Sequence, residues 1–168
     1  MITDSRLRLH GSDTAAAAFT TLTADAVWYS ANAIDLNSGT NVSGGTTTTQ
    51  NRDIGEGEDL FVVITIGAAS TAGNGVLAEV IVSDNVAGTT NPLVIGSFGT
   101  ISQANLAVAG RHFVARINPQ LRTVGQRYMQ VRFTNGSTTA QVACTLFADV
   151  VTDIYDSTKF YASGFTVS

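Results

Sequence analysis

The feature that most constrains the fold lies near the end of the chain. In Tyr128-Met129-Gln130-Val131-Arg132-Phe133-Thr134, Met129, Val131 and Phe133 share one side while Gln130, Arg132 and Thr134 share the other. A period of two is the pattern of a half-buried strand and is incompatible with a helix. Asn135-Gly136 follows at once, a pair able to hold positive φ at both central positions of a tight turn. Val142, Cys144, Leu146, Ala148 and Val150 then alternate again. The spacing predicts an antiparallel hairpin over residues 127–151.

The rest of the chain points the same way. Leu60 to Ile66 is nearly continuous apolar, as a strand covered on both faces would be, and Val76, Ala78, Val80 and Val82 alternate with their neighbours. These read as central strands joined by the loop from Ala68 to Gly75. Further strands are expected at Ala33 to Leu36, Leu93 to Phe98 and His112 to Ile117, with Phe113, Ala115 and Ile117 facing inward. Residues 14–28 open on an alanine run that suits a short helix, but the Thr-Thr-Leu-Thr after it does not, so helix and irregular strand both stand. The total of about seven or eight strands is that of an all-β antiparallel β-sandwich. A single domain over 14–168 preceded by an N-terminal arm, 1–13, fits the length of 168 residues.

Composition narrows the partners. Only 13% of residues are charged, against about 25% in soluble chains generally. A surface of Thr, Ser, Asn, Gln and Gly does little to keep copies apart, which favours a protein assembled into something larger. The net charge of −4 gives no field for phosphates, so no nucleic acid is expected as a partner. No apolar run approaches a membrane span and the opening residues lack the apolar core of a secretory signal, so no membrane is expected and a cytoplasm-like compartment is. The sequons Asn41-Val42-Ser43 and Asn135-Gly136-Ser137 then carry no glycan meaning.

Little in the sequence suggests chemistry. Gly73-Asn74-Gly75-Val76-Leu77-Ala78 matches a dinucleotide fingerprint only formally, because its glycines precede a strand and not a helix. Asp53, Glu56, Glu58 and Asp59 sit in a Gly-rich turn; a Ca²⁺ loop would need repeats or a different spacing, and a solvated turn is the better reading. His10 reads as an arm residue, His112 as an outward residue at a strand start, and the single Cys144 as core filler. No catalytic residue, metal ligand or cofactor site is assigned, and the chain is not expected to be an enzyme.

The arginines carry more information, since Arg111, Arg116, Arg122, Arg127 and Arg132 crowd one region and Lys159 is the only lysine. Arginine is enriched where proteins meet and lysine is depleted there, although solvated strand faces explain the crowding equally well.

Four stretches in order resemble the jelly-roll capsid cement proteins of short-tailed bacteriophages. They are Met1-Ile2-Thr3-Asp4-Ser5-Arg6-Leu7, Asn32-Ala33-Ile34-Asp35-Leu36, Arg52 to Glu58 running into Leu60-Phe61-Val62-Val63, and Tyr161-Ala162-Ser163-Gly164-Phe165-Thr166-Val167. The segment between Leu36 and Arg52 is longer than in that family, and Asp59 stands where a proline is usual. The resemblance implies a jelly roll that forms a homotrimer on the capsid exterior of a virion assembled in the host cytoplasm, with the major capsid protein as partner. Candidate partner-binding residues are Arg6, Leu7, Arg8 and Leu9 on the arm, where alternation would suit strand addition to a neighbour, together with Arg116, Arg122 and Arg132. Two other readings stand beside this one. A glycan-binding sandwich would offer Trp28, Tyr29, Tyr155 or Tyr161 for sugar stacking, and a cupin-like enzyme would need more clustered histidines than two.

Overall fold

The computed structural model describes residues 7–12, 15–36, 39–40, 49–50, 60–117 and 126–151. The acidic turn at 53–59, most of the polar loop at 37–52, the C-terminal stretch and Lys159 lie outside them.

Among the described residues, two five-stranded antiparallel sheets face each other, with a separate two-stranded pair of β5 (Gly39–Thr40) and β6 (Thr49–Gln50). One sheet runs β1-β12-β7-β10, formed by Arg8–His10, Cys144–Val151, Phe61–Ala68 and His112–Arg116, with β2 (Ala17–Phe19) also on β12. The other runs β3-β11-β8-β9, formed by Val27–Tyr29, Tyr128–Thr134, Val76–Ser83 and Leu93–Ile101, with β4 (Ile34–Asp35) also on β11. Since β1 and β2 share one partner, and β3 and β4 share another, the chain traces eight strand positions. Their orders are 1-8-3-6 and 2-7-4-5, which is a jelly roll of two Greek keys.

The predicted alternation holds residue by residue. Met129, Val131 and Phe133 of β11 point into the core, as do Cys144, Leu146, Ala148 and Val150 of β12. The predicted hairpin does not form. β11 pairs with β8, β3 and β4, whereas β12 pairs with β7, β1 and β2, so the two strands face each other across the core. Neither Asn135 nor Gly136 takes a positive φ. Instead Asn135 is fully buried, and its Nδ2 donates to the carbonyls of Leu22, Thr23 and Thr139 at 3.1, 2.9 and 3.0 Å. That side chain ties the crossing to a segment more than a hundred residues earlier.

The loop from Ala68 to Gly75 also crosses between sheets, carrying β7 to β8. Both strands are central, and Val63 on β7 and Ile81 on β8 are buried although they point away from the core. Gln141 pins this end of the sandwich: its Nε2 lies within 2.7 Å of Ser70 Oγ and 2.8 Å of Gln103 Oε1, while its Oε1 accepts from Gly75 N. Residues 14–28 form no described helix, only β2 and β3. The single described helix, α1 (Gln103–Leu106), has one buried side chain, Leu106, at this same end.

An aromatic cluster bridges the layers. Phe19 from one sheet meets Trp28 and Phe133 from the other, each at 5.1 Å between ring centres and steeply inclined. Edge-on packing of this kind adds about 0.5–1.5 kcal/mol per pair beyond burial.

Candidate interaction surface

The sequence-predicted contact residues do not converge. Leu7 packs against the core and Leu9 is fully buried. Arg8 lies on the outward side of β1, where its Nε donates to Asp149 Oδ1 at 2.7 Å and its Nη1 to the carbonyl of Ser12. Arg116 ends β10, at the opposite edge of the same sheet. Arg132 belongs to the other sheet, where its Nη2 meets Glu79 Oε2 at 2.6 Å directly across from it on β8. Arg6 and Arg122 lie outside the described residues.

The predicted arm is in part a strand of the domain. The Leu7/Arg8/Leu9 alternation holds, with Arg8 out and both leucines in; a bulge between Arg8 and His10 then breaks it by burying His10 as well. β1 pairs with β12 of its own chain at the edge of the sheet. His10 is correspondingly a buried residue, not part of an arm, while His112 is exposed and shares a 2.8 Å hydrogen bond with Thr65 Oγ1.

Charged groups elsewhere are tied down within the fold. Arg127 grips Asp35 with two bonds of 2.8 and 2.7 Å. The Arg8 and Asp149 side chains retain only 9% exposure each. Replacing Asp149 with asparagine takes the carboxylate from a guanidinium that is mostly out of water, and a loss of about 1–2 kcal/mol in unfolding free energy is expected by urea titration.

Of the six large apolar side chains exposed among the described residues, three lie on β9 and β10, whereas Val27 is on β3 at the opposite edge and Val86 and Val108 are in loops. β9 and β10 are the edge strands of their respective sheets, and they converge: a Cβ on Gly96 would lie 2.7 Å from the carbonyl oxygen of Arg116. Only glycine allows that approach. Leu93, Val94 and Val114 on these strands are 45%, 42% and 43% exposed. Neither strand contains a carboxylate, and Arg116 is their one permanent charge. An open strand edge with exposed branched apolar side chains is a template for association. Sequence reasoning placed Phe113 and Ala115 inward, which already implied that Val114 points out; that the edge of β9 would meet it was not readable.

No catalytic constellation comes together among the described residues. No group of three or more His, Cys, Asp or Glu there could hold a metal ion, and no described helix is long and apolar enough to cross a membrane. Burial pushes the Cys144 thiol up to about 11, so it stays protonated at neutral pH. Trp28, a candidate for sugar stacking, is instead engaged with Phe19, Phe133 and His10.

The fold defines a class, the small antiparallel jelly-roll sandwich, here with exposed apolar side chains on β9 and β10. Within it, the family model described as Bbp16 matches residues 14–148, and the protein belongs to that family. No curated protein matches the chain.

Proposed function

We propose that this protein is a bacteriophage capsid cement, or decoration, protein: it binds the outside of the shell and bridges major capsid protein subunits without catalysing a reaction. The observation that carries this reading is the converging β9/β10 edge with Leu93, Val94 and Val114 exposed, on a sandwich whose arginines largely serve internal contacts. Membership of the Bbp16 family and the resemblance of four sequence stretches to phage cement proteins support the phage setting.

The physics needs no chemistry. A protein that binds only the closed arrangement of neighbouring subunits raises the free energy of every open one. Association into a closed ring, three copies in the form the resemblance implies, would bring the remaining protomers to the shell at high effective concentration once one is seated.

The test is cosedimentation of the purified protein with capsids, alongside the double variant Leu93→Asp/Val114→Asp. Binding is expected to weaken by about tenfold per protomer, some 1.4 kcal/mol. Stability should change by no more than about 0.5 kcal/mol per site, since both side chains are exposed. Failure of the wild-type protein to cosediment would refute the reading; undiminished binding by the variant would move the contact off this edge. Deletion of residues 1–6 is the correct probe of the arm, because removing residues 1–10 would also remove Leu9 and His10 from the core.

A further inference from the structure

His10 is 1% exposed and is held in a form that has no place for a second proton. Its Nδ1 accepts a hydrogen bond from the backbone N–H of Ala31 at 3.1 Å, so the neutral ring carries its proton at Nε2. That Nε2 is buried and has no hydrogen-bond partner. The ring stands edge-on to Trp28, 4.8 Å between centres at 86°. Adding a proton at Nδ1 would set two N–H groups against each other and bury a cation with no carboxylate of the described residues against the ring.

The surroundings offer no relief. From β12, Ala148 lies opposite; Asp149 beside it is on the outward side with Arg8, and these two are paired with each other. From β3 comes Trp28, and from β2 the backbone of Ala17 and Ala18, which favours the charged ring but is outweighed by burial. The net direction is a pKa below the ordinary 6.5.

The element holding His10 is a short edge strand, anchored by the buried Leu9 and by the Arg8–Asp149 pair. β1 has three residues, touches only β12 within its sheet, and is bulged. Its other ties are Asn32 N donating to Leu9 O at 2.9 Å, the Ala31 bond, and Asn32 Nδ2 to Arg8 O at 3.4 Å.

We propose that His10 is an acid-sensitive latch: its protonation releases β1 and the turn at Ser30–Asn32 from the sandwich and opens the edge of β12 at Ala148 and Asp149 to another strand. The sign follows from linkage. Stabilisation by the neutral ring is complete above the unfolded value near 6.5 and is lost as pH falls below it, with the opening equilibrium rising about tenfold per pH unit until the folded value is reached. This holds whatever the β9/β10 edge binds.

The test is amide hydrogen exchange on the full chain at pH 7.5, 6 and 5, corrected for intrinsic rates, with emission from Trp28, the only tryptophan, as a second readout. Amides of residues 8–10, Ala31 and Asn32 should lose protection with acid while β8 and β11 keep theirs, and Trp28 emission should change over the same range. His10→Gln should abolish the response and His112→Gln should retain it. Acid-independent protection, simultaneous loss across all strands, or persistence of the response in His10→Gln would overturn the latch. If His10→Gln does not fold, NMR titration of the wild-type imidazole decides: protonation coincident with release supports the latch, and protonation with β1 still paired defeats it.

Discussion

Replacing Phe133 with alanine is expected to cost about 3–5 kcal/mol, the largest effect of any single substitution considered. The ring is 1% exposed and stands between Phe19 at 5.1 Å and Trp28 at 5.4 Å, so its loss empties the point where the two sheets interlock. Apolar transfer, cavity formation and two lost ring contacts all act in the same direction. In denaturant the midpoint should fall with an unchanged slope, and the melting temperature should drop by on the order of 10 °C for a domain of this size. A loss under 1 kcal/mol would mean that the sheets are joined elsewhere.

Asn135→Ala should cost about 2–3 kcal/mol for a different reason. It removes a buried amide whose Nδ2 is shared by the carbonyls of Leu22, Thr23 and Thr139 and whose Oδ1 accepts from Ser137 N; the first two carbonyls keep backbone partners in Gln141 N and Ala26 N, but the crossing loses its link to them. Asn135→Asp should be equally harmful, because a carboxylate supplies no N–H to those oxygens. Gly136→Ala, in contrast, should change stability by no more than about 0.5 kcal/mol, since its φ is not positive and a Cβ there meets nothing within 4 Å. A tight hairpin would give the reverse ranking. Urea titration of the three variants separates the two architectures.

That contrast marks the limit of what the sequence says. Which residues of 128–134 and 144–151 face inward was legible, because burial imposes period two wherever one face is covered. Whether the second strand lies beside the first or opposite it was not, because both arrangements bury the same side chains. Asn135-Gly136 favours the wrong answer: what makes asparagine good in turns, a short side chain that bonds backbone, also lets it hold a crossing. The alanine run at 15–18 left helix and irregular strand level, and the strand wins because helix propensity is weak beside the pairing of Ala17 to Phe19 with β12. At the surface, the arginine cluster suited partner contacts and solvated strand faces equally, and in the fold Arg127 and Arg132 pair with Asp35 and Glu79. Those pairings join residues 92 and 53 positions apart, beyond any local pattern.

The place of β12 at the middle of its sheet has a consequence for how the chain is made. β1 and β2 pair with no other described strand of their sheet, β7 otherwise pairs only with β10, and β12 is the last described strand. A nascent chain emerging from the ribosome can close the β8/β9 hairpin and pair β7 with β10 early, but this sheet stays incomplete until residue 151 has left the exit tunnel. Late, long-range closure of this kind makes folding slow and leaves apolar strands uncovered during translation. Termination upstream of Cys144 should therefore yield an insoluble fragment, because β1 and β2 would have no strand to pair with.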